Sequence, residues 1–138
     1  MKDARCAKYA AVFYRGSDGT QPVDDFIDEL PPAHQAALDG KIQMLNRLSR
    51  TSPPLPHPHS SQVRGQLREL RCHYGSVLYR IFYQRSGNFF ILLHIIRKDS
   101  DALPEADIVI AQERWNDFQV RMNADPRTPP RAMGDDAP

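Results

Sequence analysis

The sequence has few cysteines and no long apolar run. It contains two cysteines in 138 residues, Cys6 and Cys72, and they form no CxxC or other ligand spacing. This argues against a disulfide scaffold and favours two free thiols in a reducing compartment. No segment approaches the ~18 apolar residues of a membrane span, and the N-terminus lacks the apolar core of a signal peptide. We therefore expect a soluble, cytoplasmic protein without a membrane partner.

Positive charge is absent from one part of the chain and concentrated in another. Residues 20–39 include no Lys or Arg but five acids, which we interpret as a solvated helix face without chemistry. Residues 64–98, by contrast, carry seven cations and a single acid, Glu69. Because the formal net charge of the whole chain is only +1, its positive charge is gathered in one segment.

That basic segment also has the strongest pattern of secondary structure. From Gln66 to Lys98, three stretches rich in Tyr, Phe, Ile, Leu and Val are separated by turn sequences at residues 74–76 and 85–88. Gly and Asn in these turns accept the positive φ that short hairpin connections need. The segment predicts three successive antiparallel strands. Alternation puts Arg80 on one face with Leu78 and Phe82, and His94 and Lys98 on one face with Leu92 and Ile96, but the sequence leaves open which face of the sheet each set occupies.

The rest of the chain predicts an α+β fold in one domain spanning about Tyr9 to Met122. Apolar residues at helical spacing and flanking prolines define the other elements. In chain order we expect a strand over 9–14, helices over 22–30 and 33–50, the three strands, and a helix from 104 to 123. We expect these helices to lie on one side of a mostly antiparallel sheet, leaving its other face uncovered.

Two proline-rich segments lie outside these elements. Residues 51–61 contain four prolines in eleven residues and predict an extended surface loop inside the domain. His57 and His59 in this loop form an HxH pair, but no third ligand is placed by the sequence, so we expect no metal site. Residues 123–138, also rich in proline, predict a disordered tail.

Four short segments, in their order and spacing, resemble a known family. They are PVDDFIDELP at 22–31, LRELR at 67–71, YRIFY at 79–83 and ILLHIIRK at 91–98. Together they resemble the RelE/HigB toxin superfamily, specifically its HigB-like branch found in bacteria and phages. The resemblance implies a RelE-like fold: a small antiparallel or mixed sheet with two N-terminal helices on one face and a C-terminal helix.

The resemblance also implies a function and partners. Such a protein is the toxin of a type II toxin–antitoxin system, a metal-independent endoribonuclease that cleaves mRNA on the ribosome and arrests growth. Its expected partners are the translated mRNA and a small helix-turn-helix antitoxin, in a possible toxin–antitoxin hetero-oligomer. No cofactor is expected.

Four basic residues are the implied catalytic group: Arg71, Arg80, His94 and Lys98. RNA cleavage needs a base for the 2′-hydroxyl proton, cations for the phosphoryl charge and an acid for the leaving oxygen. Guanidinium groups suit the charge-stabilising role, and His94 or Lys98 suits proton transfer, with their order left open. The structural alternative makes the arginines cross-strand partners of Glu69 and His94 a hydrogen-bonded core residue.

A second group of residues is implied in RNA binding: Arg64, Arg68, His73, Tyr83 and Arg97. The chain departs from the family after the last strand, since Asp99 and Ala102 stand where the family commonly has lysines. Fewer cations there weaken phosphate attraction. Two alternatives therefore stay open: a ParE-like toxin acting on DNA gyrase, and a degenerate module that only binds its partner.

Overall fold

The computed structural model describes residues 8–98, 105–124 and 132–134 and has the predicted α+β fold. In the described part, five strands form a small mixed sheet, and three helices pack on it. The elements are β1 (Ala10–Phe13), α1 (Pro22–Asp28), α2 (Pro32–Asn46), β2 (Ser60–Arg64), β3 (Leu67–Tyr74), β4 (Val77–Ser86), β5 (Phe89–Lys98) and α3 (Glu105–Asn123). None of these helices is long and apolar enough to span a membrane.

The sheet has the strand order β1-β5-β4-β3-β2. Strands β2 to β5 are antiparallel neighbours, whereas β1 pairs with β5 in parallel. The turns that join β3 to β4 and β4 to β5 contain Gly75 and Gly87, with φ of 59° and 58°. Residues with a Cβ seldom adopt this conformation, so these glycines explain why both predicted turns form where they do.

Helices cover both faces of the sheet, which corrects the expectation of an uncovered face. Helices α1 and α2 pack on one side, here called the α2 face, through buried residues that include Val23, Leu38 and Leu45. Helix α3 packs on the other side, the α3 face, through Ile108 and Phe118 among others. The reason is visible in β5, whose nearly continuous apolar run presents hydrophobic side chains on both faces.

Strand β2 was not predicted. Its sequence, SSQVR, is short and polar, and its first two residues fall in the predicted proline-rich loop. It pairs only with β3 and forms one edge of the sheet, a position that tolerates nearby prolines. Its Ser60 is 1% exposed and hydrogen-bonds the Tyr83 hydroxyl at 2.6 Å, so a buried polar contact rather than an apolar pattern holds its start.

Helix α2 ends at Asn46, four residues before the expected end. Beyond it the backbone tightens, because the N–H of Arg47 bonds the carbonyl of Met44 and that of Leu48 bonds the carbonyl of Leu45. The Asn46 side chain accepts a hydrogen bond from the N–H of Ala11 at 2.6 Å. The helix end is therefore used to fix the first strand.

Part of the expected disordered tail is docked on the sheet. Ala132 and Met133 are 0% and 3% exposed, and Met133 forms an isolated bridge with Tyr14. The N–H of Gly134 donates to the Phe13 carbonyl at 2.8 Å. The prediction of disorder is wrong at these three residues, because they cover the outer edge of β1 and part of the α3 face. The other tail residues after 124 lie outside the described residues, and so does Cys6.

A bulge in β5 decides which face its side chains occupy. Phe82 is opposite His94, but Tyr83 is opposite Leu92, so Leu93 is an extra residue in the ladder. Simple alternation predicts that His94 and Leu92 share a face. Instead Leu92 packs with the α2-face core, while Leu93 packs on the α3 face, where His94 stacks on Phe82.

Candidate functional site

Two of the predicted catalytic residues meet on the α3 face of the sheet. Arg71 on β3 lies directly opposite Arg80 on β4. Glu69, two residues before Arg71, is the adjacent residue of β3 on the same face of the sheet. The carboxylate of Glu69 binds both guanidinium groups. Arg80 donates to Oε2 through Nε at 2.7 Å and Nη2 at 2.6 Å, and Arg71 Nη1 donates to Oε1 at 3.1 Å.

This Arg71–Glu69–Arg80 triad is almost removed from solvent. Glu69 is 2%, Arg71 8% and Arg80 1% exposed. A third donor, the Ser61 hydroxyl, reaches Glu69 Oε1 at 3.2 Å. Charged groups tolerate such burial only when they are paired and hydrogen-bonded. Each charged group of the triad has a partner within the triad, and this pairing holds both guanidinium groups in fixed orientations beneath the α3 face.

The sequence left open that Arg71 and Arg80 are partners of Glu69, and in the structure both arginines form ion pairs with it. A shared carboxylate and a role toward RNA are compatible, because an ion pair also fixes the orientation of a guanidinium group. Arg71 retains the larger exposed fraction of the two. Direct contact with a ligand is accordingly easier for Arg71 than for Arg80.

His94 lies beside the triad but is engaged by α3. Its Nε2 is 2.8 Å from Asp107 Oδ1, and its Nδ1 is 3.0 Å from Arg114 Nη1. Arginine can only donate, so Nδ1 accepts and the ring is neutral with its proton on Nε2, directed at Asp107. Burial lowers the pKa of His94, the Arg114 charge adds to this, and Asp107 opposes it.

The arrangement around His94 has two consequences for chemistry. Both ring nitrogens are occupied, so proton transfer to a ligand requires the ring to release Asp107 or Arg114 first. Arg114 is itself held in place, because its Nη1 also donates to the Leu93 carbonyl at 2.9 Å. The bulge at Leu93 thus positions both His94 and the arginine that fixes its tautomer.

The sequence interpretation did not include Asp107 and Arg114. They are seven residues apart on α3, a spacing that places two side chains on one side of a helix. This spacing is the only signal the sequence offers. It carries no information about His94 until the bulge and the covering of the α3 face are known.

The predicted RNA-binding residues do not form one group. Arg68 and Tyr83 lie on the α2 face, where Arg68 Nη2 donates to the Leu55 carbonyl at 3.0 Å. Arg97 is exposed, and strand alternation from Ile95 places it on the α2 face as well. His73 is exposed on the α3 face, by alternation from Arg71.

Two further predicted residues lie at the margins of the site. Arg64, on the edge strand, donates from Nη2 to Glu105 Oε1 at 2.6 Å, and both side chains are largely exposed. Lys98 is the last residue of β5 and pairs with Leu78, two residue pairs along the sheet from Arg80. The side chain of Lys98 lies outside the described part. The departures at Asp99 and Ala102 also lie outside the described residues.

The histidines of the proline-rich loop are not arranged as metal ligands. His59 Nδ1 accepts a hydrogen bond from Lys41 Nζ at 2.8 Å, and His57 is exposed. Within residues 8–98, 105–124 and 132–134, no three His, Cys, Asp or Glu side chains are grouped closely enough to hold a metal ion.

Comparison with known proteins gives a family. No curated protein matches the chain. The family model for phage-derived Gp49-like proteins (DUF891) matches residues 25–116, which run from the start of α1 into α3 and include the Arg71–Glu69–Arg80 triad, His94, Asp107 and Arg114. The match covers more than half of the sequence, and the fold is the small α+β fold expected of RelE-like proteins. The chain therefore belongs to the Gp49-like family of phage-derived proteins, within the RelE/toxin-like superfamily.

Proposed function

We propose that this protein is the toxin of a type II toxin–antitoxin system, a metal-independent endoribonuclease that cleaves mRNA on the ribosome in the cytoplasm. A helix-turn-helix antitoxin, of the kind expected for HigB-like toxins, neutralises it by forming a hetero-oligomer. Family membership supports the toxin class. The observation that carries the enzymatic part is the Arg71–Glu69–Arg80 triad.

The triad suits phosphoryl chemistry because it holds two guanidinium groups side by side in fixed orientations. Two guanidinium groups share one carboxylate, and all three residues are at least nine-tenths buried. Preorganised positive charge in a low-dielectric site stabilises the charge that grows on phosphoryl oxygens as the 2′-hydroxyl attacks. We assign direct phosphate contact to Arg71, and we assign to Arg80 the role of positioning Glu69.

Proton transfer completes the reaction. The 2′-hydroxyl loses its proton, its oxygen bonds to phosphorus to give a cyclic phosphate, and the 5′-oxygen leaves as a hydroxyl after receiving a proton. His94 is neutral, so it can accept the 2′-hydroxyl proton on Nδ1 once RNA displaces Arg114. The protonated amine of Lys98 can donate the proton that the leaving 5′-oxygen takes up. His73 and Arg64 are placed to contact RNA at the margins of the α3 face, whereas Arg68, Tyr83 and Arg97 are on the opposite face.

The test uses induced expression followed by primer extension on a translated message. Wild-type protein should arrest growth and produce new 5′ ends within the message. Arg71→Ala should lower the cleavage rate ~10²-fold or more, the usual effect of removing one contact to a charged transition state. Arg47→Ala is the matched control, because Arg47 is an exposed arginine at the end of α2, away from the triad.

The extensive pairing of the site also supports one alternative. Glu69 is shared by both triad arginines, and both nitrogens of His94 are engaged, as in a module that only binds its antitoxin. Protein that binds the antitoxin without cleaving mRNA or arresting growth would establish that alternative. Growth arrest with accumulation of gyrase–DNA complexes and no cleavage would establish the ParE-like alternative.

A further inference from the structure

A second candidate site lies on the α2 face, away from the triad. It is a cleft of about 480 Å³ between the proline-rich loop, the β2–β3 hairpin and the end of the β4–β5 hairpin. This volume falls within the range of small-molecule sites. Two residues predicted to bind RNA, Arg68 and Tyr83, line this cleft rather than the α3 face.

The cleft is strongly cationic. Arg50, Arg68 and Arg85 line it, and none of the described residues around it is acidic. Arg68 is oriented by the Leu55 carbonyl, and Arg85 Nη1 donates to the Tyr9 hydroxyl at 2.9 Å while its guanidinium lies 5.5 Å from the centre of that ring. Three guanidinium groups without a lining carboxylate favour an anionic ligand, above all a phosphate.

The floor of the cleft is aromatic and apolar. Phe90 packs edge to face against Tyr9, with ring centres 5.2 Å apart, and against Tyr83 at 5.6 Å. Pro53 and Pro54 form an apolar wall. Gln62 and Gln66 line the β2–β3 side, where the Gln62 amide nitrogen donates to the Gly65 carbonyl at 2.6 Å. A ligand that fits these surroundings has a flat, partly apolar body with polar edges as well as a charged group.

We propose that this cleft binds a nucleoside phosphate, either as a free nucleotide or as one unit of a single-stranded RNA. The base packs between the aromatic floor and the prolines, with the glutamine amides at its edge, and the phosphate is held by Arg50 and Arg85. An acidic peptide would match the charge but would make less use of the aromatic side chains of Tyr9, Tyr83 and Phe90 in the cleft. The inference does not depend on the proposed nuclease activity, because the cleft and the triad lie on opposite faces of the sheet.

The test measures binding of two kinds of probe to the full chain: free nucleotides and a short RNA. Calorimetric titration with AMP and UMP detects a free-nucleotide site. Fluorescence anisotropy of a labelled 2′-O-methyl hexanucleotide, which cannot be cleaved through its 2′-oxygens, detects an RNA site. Arg50→Ala and Arg85→Ala should each weaken binding ~10-fold and reduce its salt dependence. Arg47→Ala is the control within the same exposed segment, and Gln119→Ala is the control at an exposed position of α3. Both variants should bind nearly as wild type does.

The outcomes are distinct. Binding of AMP or UMP that the cleft variants weaken establishes a free-nucleotide site, and hexanucleotide binding alone with the same dependence establishes an RNA unit. No binding of either probe, or binding that Arg50→Ala and Arg85→Ala leave unchanged, overturns the proposal. Binding of an Asp/Glu-rich peptide that Arg50→Ala and Arg85→Ala weaken, without binding of either nucleotide probe, overturns it in favour of a protein ligand. Circular dichroism and urea unfolding of each variant check that lost binding is not lost folding.

Discussion

At the scale of single residues, Glu69 is the group on which the site depends. It is the one acid among the charged residues of segment 64–98, and it holds Arg71 and Arg80 in fixed orientations beneath the α3 face. Replacing either arginine leaves the carboxylate with the other arginine and the Ser61 hydroxyl, whereas replacing Glu69 removes an ion-pair partner from both arginines at once. The carboxylate therefore matters more for stability than either cation does.

Glu69→Ala should lower the free energy of unfolding by ~3–5 kcal/mol, because it removes the carboxylate that two buried arginines share. Urea unfolding followed by circular dichroism measures the change. Glu113→Ala is the control, since Glu113 is exposed on α3, and it should change stability by less than ~0.5 kcal/mol. A loss of under ~1 kcal/mol in Glu69→Ala would show that water reaches the arginines and replaces the carboxylate.

The pKa of His94 gives a prediction with a definite sign. Burial lowers this pKa in the folded protein, despite the opposing effect of Asp107. The unfolded chain therefore binds a proton at His94 before the folded protein does. The stability linked to His94 is fully present above the unfolded value of ~6.5 and is lost as pH falls from there through the lower folded pKa.

Urea unfolding at pH 7.5 and pH 5.5 measures this linkage. Wild-type protein should lose more stability across the interval than His94→Gln does, because the variant has no titrating group at this position. His73→Gln, which replaces an exposed histidine, should follow the wild-type profile. Equal pH dependence in wild type and His94→Gln would mean that the ring is not held neutral between Asp107 and Arg114.

At the scale of elements, the segment at residues 132–134 acts as a short added strand on β1. Met133 is 3% exposed, and its neighbour Tyr14 has its hydroxyl bound to Asp117 at 2.5 Å. Burial first, with help from Asp117, raises the pKa of Tyr14 to about 12. The first strand, the last helix and the chain end are thus joined in one contact region.

Met133→Ala should lower the free energy of unfolding by ~2 kcal/mol, the cost of removing a buried methionine side chain at the edge of a core. Val120→Ala, at a site that is 71% exposed, should be nearly neutral. Thermal unfolding of the two variants and of the chain truncated after Asn123 makes the comparison. If the truncated chain melts at the wild-type temperature, the packing of residues 132–134 contributes nothing to stability.

Elements with a strong periodic pattern could be predicted from the sequence, and those specified by distant contacts could not. The apolar stripe of α3 and the turns at Gly75 and Gly87 are local signals, and all three were located correctly. Strand β2 has no apolar alternation, and the Ser60–Tyr83 hydrogen bond that anchors it joins residues 23 apart. No local pattern encodes such a contact.

The same distinction holds for the candidate site. Alternation along β3 and β4 was enough to place Arg80 on one face with Phe82. It failed in β5, because the bulge at Leu93 reverses the alternation and brings His94 to the α3 face. Trp115 shows a further limit of the helical pattern: it lies on the apolar stripe of α3 and stacks on Phe118, but it remains partly exposed.

At the scale of the whole molecule, the reaction rate of the Cys72 thiol measures how often the folded domain unfolds. It lies on β3, is 2% exposed, and its burial raises the pKa of the thiol, with Lys41 opposing the shift. In a Cys6→Ser variant, reaction with a thiol-specific disulfide reagent should be on the order of 10³-fold slower in buffer than in urea. A rate in buffer close to that in urea would show that β3 opens without global unfolding.

The position of β1 beside β5 has a consequence for the order of folding. During synthesis β1 emerges first, yet its partner strand, and then Asp117, which binds Tyr14 across 103 residues, emerge much later. Such distant contacts make folding slow, because the chain must close long loops before they form. A nascent chain that stops before α3 lacks Asp107 and Arg114 and leaves the apolar α3 face bare. An interrupted product is therefore an aggregation-prone fragment in which His94 lacks both of its α3 partners.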